Sequence, residues 1–306
     1  MKKLTLTFVL LLFLTACSRQ KPAAQGYTFT DDLGREVTVS ACERTAALLG
    51  SYAEIWYLAG GSVIASAEDA WEDFDLPLSQ DAVNLGATKK LSLESLLAAK
   101  PDFVLASTNT PQHVQWRQTL EQAGITVAYF DVSDFDDYLR MLKVCTALTG
   151  KPDRYKEHGE ALQRKIAQIL ERNDGAAPQT VLVMRASAAS IRAKNSDGTV
   201  LGTMLRDFGC INIADSDEML LENLSVESIL LRNPDKIFII QTGSDMEAVK
   251  DHVYNVFREN PLWQELDAVK NDRVYFMDKR LFNLKPSARW AEAYEVLEEI
   301  LYENPS

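Results

Sequence analysis

Short apolar runs alternate with longer amphipathic stretches from residue 45 to residue 302. This order of strand-length and helix-length segments is typical of parallel βαβ units, so the sequence predicts an α/β fold. The predicted strands are 45–50, 63–66, 103–107, 127–130, 180–184, 190–193, 236–241 and 273–277. The predicted helices are 52–59, 92–99, 112–123, 203–208, 225–231, 248–259 and 287–302. Residues 27–39 (YTFTDDLGREVTV) alternate around Asp-Asp-Leu-Gly, which predicts a small hairpin ahead of the series.

A long helical segment divides this series in two. Residues 134–173 have a helical pattern almost throughout, with one break at Gly-Lys-Pro, residues 150–152. Residues 153–173 are heavily charged and carry apolar residues at Leu162, Ile166, Ile169 and Leu170. So narrow a stripe predicts a helix that crosses between two lobes. The predicted organisation is an N-terminal lobe at 27–152, a linking helix at 153–173 and a C-terminal lobe at 178–306.

The first residues have the pattern of a targeting segment. Two lysines precede an apolar run at 4–14, and small residues then lead to Cys17. This predicts a signal peptide at 1–16, whose apolar part is too short for a membrane span. The polar residues up to 26 predict a tether at 17–26. Leu-Thr-Ala-Cys resembles a bacterial lipobox, which implies a diacylated Cys17 as the mature N-terminus and stable anchoring. An ordinary signal peptide cut near Ala16 is the alternative.

Two segments of the chain repeat one another. LSLESLLAAKPDFV begins at Leu91 and LSVESILLRNPDKI begins at Leu224, which places Glu94 and Glu227 133 residues apart. The serine two positions before each glutamate suits a helix N-cap, and a first-turn carboxylate favours the helix dipole. Helices that lead into parallel strands start at the edge of the sheet where ligands bind. Capping alone does not explain the match, so the repeat predicts two equivalent acidic contacts for a two-fold partner.

Charge and motif content exclude several function classes. The formal net charge is −12, and it becomes −14 when Lys2 and Lys3 leave with the leader. An acidic chain without a basic block is not expected to bind nucleic acid. Three histidines are too few for a zinc or manganese receptor, so no metal site is predicted. No G-x-S-x-G, H-E-x-x-H, Walker or G-x-G-x-x-G motif occurs, which leaves an anchored extracellular hydrolase as a remote alternative.

The remaining cysteines do not predict a disulfide framework. Cys42, Cys145 and Cys210 form no CxxC pair and are odd in number. A bridge between Cys42 and Cys145 is possible, but buried, inert thiols are the favoured interpretation.

The lipobox, the hairpin, the two S-x-E-x-x-L-x-x-x-P-D segments and the long helix together resemble the substrate-binding lipoproteins of ABC importers. The resemblance covers 27–302 and is to the class that binds ferric siderophores, haem or cobalamin. It implies a class III binding protein, two similar lobes joined by one rigid helix, rather than an enzyme. It also implies a monomer on the outer face of the cell membrane, without a cofactor of its own. Glu94 and Glu227 would pair with arginines of the permease dimer, which works with a cytoplasmic ATPase. The expected cargo is an iron complex, a ferric siderophore, with cobalamin or haem as alternatives.

Loops that follow the predicted strands are expected to line the ligand cleft. Aromatic side chains would suit a large planar ligand, and arginines would suit an anionic siderophore. Each candidate also has a structural alternative, such as core packing for Tyr52. The predicted ligand residues are Ser51, Tyr52, Trp71, Lys89, Thr108, Asn109, Arg185, Arg192, Arg280 and Phe282.

Overall fold

The computed structural model describes residues 26–243 and 245–302 and contains three β-sheets. The first sheet is the predicted hairpin, an antiparallel pair of β1 (Tyr27–Thr30) and β2 (Glu36–Val39). Asp31 closes the turn, because its carboxylate accepts hydrogen bonds from the backbone N–H groups of Leu33 (3.1 Å) and Arg35 (3.0 Å). The hairpin packs beside the next sheet, where the N–H of Asp32 donates to the carbonyl of Tyr129 at 2.9 Å.

The N-terminal lobe is a five-stranded parallel sheet with helices around it. Its strands are β3 (Thr45–Ala47), β4 (Val63–Ser66), β5 (Val83–Asn84), β6 (Phe103–Ser107) and β7 (Thr126–Phe130). Their order is β5-β4-β3-β6-β7, so the chain reverses direction across the sheet between β3 and β6. Such a switch point leaves a crevice at the carboxyl ends of the strands. The helices are α1 (Gly50–Leu58), α2 (Asp69–Glu72), α3 (Leu93–Ala99), α4 (Pro111–Gln122) and α5 (Phe135–Thr149).

A nearly continuous helix leads from the first lobe to the second. It consists of α6 (Pro152–Tyr155), a π-helical turn (Lys156–Glu160) and α7 (Ala161–Arg172). Gly150 separates it from α5 with a left-handed φ of 68°, a conformation that glycine adopts at little cost. Ile166 and Ile169 are the buried residues of α7. The predicted crossing helix and its narrow apolar stripe are therefore both present.

The C-terminal lobe has a mixed sheet. Its strands are β8 (Thr180–Ser187), β9 (Ser190–Lys194), β10 (Ile211–Asn212), β11 (Lys236–Gln241) and β12 (Val274–Met277). The parallel order is β10-β8-β11-β12, and β9 folds back antiparallel onto β8. The helices are α8 (Val200–Asp207), α9 (Glu218–Glu222), α10 (Val226–Arg232), α11 (Met246–Glu259), α12 (Asp267–Lys270), α13 (Lys279–Phe282) and α14 (Trp290–Tyr302).

One apolar cluster extends across both lobes. Trp290 at the start of α14 packs against Phe135 and Tyr138 of α5, with ring centroids 5.6 and 6.4 Å apart. Burial of large aromatic side chains stabilises such contacts strongly. The last helix of the chain therefore holds the C-terminal lobe against the first lobe, in addition to the crossing helix.

Most predicted elements are observed, with shifts at their ends. The helix expected at 52–59 begins at Gly50, and the helix expected at 203–208 begins at Val200. The strands β5 and β10 were not predicted, because two residues are too few to show a period of two. The antiparallel pairing of β9 also departs from the expected parallel series. It follows from the short turn that joins β8 to β9.

The three cysteines in the described part of the chain are unpaired. Burial raises the pKa of the Cys145 thiol, and it raises that of Cys210 to about 11. Both thiols therefore stay protonated and unreactive near neutral pH. Within residues 26–243 and 245–302, no helix has the length and apolar character needed to cross a membrane.

Candidate functional site

A cavity of about 490 Å³ lies between the two lobes. The loops after β6 and β7 form one wall, and β8 with the segments before α8 and after α13 forms the other. The carboxyl edge of the parallel sheet in the N-terminal lobe therefore opens into this cavity, which is where open α/β sheets bind ligands. The lining residues are Asn109, Asp131, Ser133, Arg185, Asp197, Thr199, Val200, Asn283 and Lys285.

Arg185 is a half-buried cation on the C-terminal wall. It lies near the end of β8, and its buried Nε has no hydrogen-bond partner among the described residues. Burial lowers the pKa of the guanidinium, because removal from water disfavours the charged form. The residue directly opposite on β9 is Arg192, which is exposed. Because like charges facing each other across two strands are unfavourable, this pair favours an anion nearby.

Lys285 is the second cation of this wall. Burial lowers the pKa of its ammonium group, and the nearby Arg185 lowers it further. The negative charges of Asp131 and Asp137 raise the pKa of Lys285. Neither aspartate forms a hydrogen-bonded ion pair with Lys285 in the described residues. A half-buried charge without a paired counter-charge is unfavourable. The two cations together therefore suit an anionic ligand.

The N-terminal wall is polar and fixed by hydrogen bonds. The carboxylate of Asp131 accepts from the side-chain amide of Asn109 at 2.6 Å and from the hydroxyl of Ser133 at 2.8 Å. The backbone N–H of Asp131 donates to Asp32 at 2.6 Å. Asp32 in turn forms a 3.2 Å ion pair with Arg140 of α5. This wall thus holds its acceptors in place before any ligand arrives.

Ser51 and Tyr52 lie in the first turn of α1, away from the cavity. Ser51 is 5% exposed and Tyr52 is 1% exposed. The hydroxyl of Tyr52 donates to the carbonyl of Phe130 at 2.8 Å. The ring is therefore packed in the core, and its hydroxyl has a hydrogen-bond partner there. The prediction that they contact ligand assumed a later helix start. With the start at Gly50, both side chains are buried, and the hydroxyl of Tyr52 reaches strand β7.

Arg280 and Phe282 belong to α13 and stabilise the contact between the lobes. Arg280 forms a 2.5 Å ion pair with Glu54 of α1, in which both side chains are 14% exposed. The guanidinium also lies 4.2 Å from the ring centroid of Phe74, within the range of a cation–π contact. Phe282 is 1% exposed and packs in the core. Arg280 therefore already has an anionic and an aromatic partner within the protein. These contacts explain its position without a ligand.

The other predicted residues outside the cavity have varied surroundings. Trp71 is half-buried against the main core cluster. Lys89 is exposed in the turn before α3, and Arg192 is exposed on β9. Thr108 directly follows β6, and its hydroxyl is buried without a partner in the described residues.

Of the ten predicted ligand residues, the structure brings Asn109 and Arg185 to this cavity. Asp131 and Ser133 were missed, although they directly follow strand β7 and the strand-end rule would have included them. Lys285 could not be found in this way, because it follows a four-residue helix rather than a strand.

The two repeated segments adopt the same local structure. Ser92 caps α3 by accepting from the N–H of Ser95 (3.1 Å), and Ser225 caps α10 by accepting from the N–H of Ser228 (3.2 Å). Both helices have seven residues and end at a residue in the left-handed conformation. Glu94 and Glu227 are exposed in the first turns.

The Pro-Asp part of each repeat has a structural role. Asp102 accepts hydrogen bonds from the backbone N–H groups of Glu43 and Arg44, both at 3.1 Å, just before β3. Asp235 likewise accepts from the backbone N–H (2.7 Å) and the hydroxyl (2.8 Å) of Thr180 at the start of β8. These aspartates thus fix the start of the neighbouring strand. The glutamates form no comparable bond to the body of the fold in the described residues.

Other candidate chemistry is limited in the described residues. They contain no group of three or more histidine, cysteine or acidic side chains that could hold a metal ion. Cys17, the predicted lipidation site, lies outside the described residues.

Relatives of this chain include proteins of iron and haem uptake. An iron-uptake system-binding protein of Bacillus subtilis is 28% identical over 204 residues, which are 65% of this chain and 62% of that relative. That match therefore spans less than two thirds of the relative's length. The high-affinity heme uptake system protein IsdE of Staphylococcus aureus is 23% identical over 232 residues, 74% of this chain and 76% of the relative.

Solved structures with the same fold have lower sequence identity. An ABC transporter substrate-binding protein from Listeria monocytogenes gives a TM-score of 0.72 at 22% identity, covering 85% of this chain and 99% of its own. Staphylococcus aureus SirA complexed with staphyloferrin B gives a TM-score of 0.67 at 21% identity, covering 90% of this chain and 97% of its own. These similarities show the class III fold. The model of the periplasmic binding protein family matches residues 46–281, most of the chain. The chain therefore belongs to the periplasmic binding protein family.

Proposed function

We propose that this chain captures a ferric siderophore outside the cytoplasm and delivers it to an ABC permease dimer that works with a cytoplasmic ATPase. A lipid on Cys17 would hold it to the outer face of the cell membrane. It would act as a monomeric binding protein rather than as an enzyme. The observation that carries the proposal is the pair of unpaired cations, Arg185 and Lys285, in the cavity between the lobes.

The charge of this wall favours an anionic cargo. Arg185 and Lys285 face a cavity in which the opposite wall offers fixed acceptors on Asp131 and Ser133. A chelate with carboxylate or catecholate oxygens would neutralise the two cations, and its own hydroxyl or amine donors could meet Asp131. The iron-uptake relative and the siderophore-bound neighbour support the same class of cargo.

The lining residues also bear on the haem alternative. Haem iron is held in proteins by histidine, cysteine, methionine or tyrosine. None of the nine residues around this cavity is of these types. A siderophore brings all the iron ligands with it and needs only outer contacts from the protein. Cobalamin also carries its metal ligands, but the two cations favour an anionic chelate.

Tryptophan fluorescence of the soluble body, without the leader and tether, tests the cargo. We expect one ferric catecholate or hydroxycarboxylate to quench at sub-micromolar concentration, and haemin and cobalamin to bind much more weakly. Arg185→Gln and Lys285→Gln should each weaken binding by about tenfold or more, since hydrogen bonds to charged groups contribute roughly 1.5–3 kcal/mol. Arg164→Gln, at an exposed arginine of α7 outside the cavity lining, is the matched control. Tighter binding of haemin or cobalamin, or no effect of either cleft variant, would contradict the siderophore assignment.

A further inference from the structure

Lys285, the second cation of the cavity, lies on a short segment between the end of α13 and the start of α14. Asn283 and Lys285 of this segment both line the cavity. Lys285 itself belongs to no helix or strand. Its position therefore depends on contacts of the segment rather than on regular secondary structure.

The side chain of Arg280 binds the backbone of this segment. Its Nη1 donates a 2.7 Å hydrogen bond to the carbonyl of Lys285, and its Nη2 donates at 2.5 Å to Glu54 of α1. A guanidinium presents several donors in a fixed plane, so one arginine can bind both acceptors at once. Within the described residues, Lys285 makes no other hydrogen bond. Arg280 therefore links α1 of the N-terminal lobe to the backbone that carries the cleft cation.

This link is largely shielded from water. The side chains of Arg280 and Glu54 are both mostly buried, and the ring of Phe74 covers the guanidinium. Removing one partner of such a pair is strongly unfavourable, because the other charge is left without a counter-charge. Glu54 therefore holds the guanidinium, and the guanidinium in turn holds the carbonyl of Lys285.

The backbone just after Lys285 is held in one arrangement as well. Ser287 is fully buried and has a φ of 53°, in the left-handed region. This region is unfavourable for a residue with a side chain, so it is occupied where the surrounding contacts require it. Pro286 is also buried, and its ring fixes its own φ. Lys285 thus lies between two constraints, the bond from Arg280 and the buried turn that follows.

The charged groups that face Lys285 do not fix its side chain. Asp131 and Asp137 attract the ammonium group and Arg185 repels it, but none of the three is hydrogen-bonded to it in the described part of the chain. Asp131 is bound by polar groups of its own wall, and Asp137 pairs with Arg140 at 2.8 Å. The placement of Lys285 is therefore left to the contacts of its backbone.

We infer that Arg280 is a positioning residue for cargo binding: it holds Lys285 at the cavity through the backbone carbonyl, while Glu54 holds Arg280 in place. The inference rests on the proposed function and adds to it a residue that the cargo does not touch. A cation that is held before the ligand arrives binds an anion more tightly than one that must first be ordered, because less conformational entropy is lost on binding. The contact between the lobes thereby contributes to the affinity of the cleft.

A double-mutant cycle on the mature protein tests this role. The probes are ferric citrate and ferric 2,3-dihydroxybenzoate, two anionic chelates, and binding is measured by quenching of tryptophan fluorescence. Arg280→Gln should weaken binding by at least about fivefold in the parent protein. In the Lys285→Gln background the same change should alter affinity by less than about twofold, because the side chain that Arg280 positions is gone. No weakening in the parent protein, or equal losses in the two backgrounds, would overturn the inference.

Lys279→Gln is the matched control. Lys279 precedes Arg280 on α13 and also pairs with the other lobe, through Asp73 at 2.7 Å, but its side chain does not bind Lys285. Losing this more exposed pair should change affinity by less than about twofold. A loss as large as that of Arg280→Gln would show that the lobe contact alone matters and would overturn the inference. Glu54→Gln should weaken binding in the same direction as Arg280→Gln, and it carries the test if that variant does not fold.

The pKa of Lys285 provides a second measurement that needs no ligand. NMR of the free protein with carbon-13-labelled lysine follows the titration, and the signal is assigned by its absence in Lys285→Gln. Burial lowers this pKa, so release of the side chain toward water in Arg280→Gln should raise the pKa toward 10.5, whereas Lys279→Gln should leave it unchanged.

The two measurements separate the inference from the proposed function. An unchanged pKa of Lys285 in Arg280→Gln would contradict the positioning role. A raised pKa in that variant, together with no quenching of the parent protein by either chelate, would contradict the proposed cargo and leave the positioning of Lys285 intact.

Discussion

Arg185 and Lys285 each bring a cationic side chain to the cavity, but only Arg185 could be predicted from the sequence. Arg185 could be predicted, because it lies near the end of a clear apolar strand, where cleft residues are expected. Lys285 could not, because its place in the cavity depends on how the segment after α13 folds back toward the other lobe. That path depends on the packing of Trp290 and on the pairing of Arg280 with Glu54, which are contacts between distant parts of the sequence.

The lowered pKa of Lys285 predicts a pH dependence of ligand binding. Its ammonium group loses its proton below the ordinary value of 10.5, chiefly because burial disfavours the charged form. Attraction for an anionic chelate is therefore present below the lowered pKa and declines as the pH rises through it. Titrations of chelate binding from about pH 5 to about pH 10 locate this decline.

Lys285→Arg supplies the control for this titration, because arginine stays charged throughout that range. The variant should bind with a flatter pH profile than the parent protein. Identical profiles for the two proteins would show that Lys285 does not provide the titrating charge.

Among the secondary-structure elements, the helix between the lobes has the clearest mechanical role. Its first part is fixed to the N-terminal lobe, since the hydroxyl of Tyr138 on α5 donates to the carbonyl of His158 at 2.8 Å. Its second part, α7, packs along α14, with ion pairs Lys165–Glu295 (2.8 Å) and Arg172–Glu298 (2.6 Å). These ion pairs are exposed and individually weak. Burial of Ile166 and Ile169 adds the larger contribution to this contact.

This arrangement predicts a small change of shape on ligand binding. The crossing helix is supported by packing on both sides, and α13 is joined to α1 and to the loop after α2 by the pairs Arg280–Glu54 and Lys279–Asp73. A wide hinge motion would break these contacts. Small-angle scattering with and without the bound chelate should show the same radius of gyration within error. A clear compaction on binding would contradict this account of the crossing helix.

At the level of the complete chain, the sequence predicted two α/β lobes, a hairpin and a crossing helix, because each rests on a local period or on the internal repeat. The repeat identified α3 and α10 and their strands to within one residue at each end. The short strands, the antiparallel β9 and the contacts of α14 with the first lobe were not predicted, since they depend on tertiary packing. The lobe boundaries and the docking role of the two glutamates stay predictions.

The experiment that decides whether this protein delivers cargo to a permease is the double variant Glu94→Ala with Glu227→Ala. Both side chains are exposed, and neither lines the cavity between the lobes. The variant should therefore bind the ferric chelate as tightly as the parent protein, measured by fluorescence quenching, while uptake of radiolabelled iron by cells falls to the level of a deletion strain. Parental uptake by the double variant would contradict delivery through these glutamates, and loss of chelate binding would contradict their separation from the ligand site.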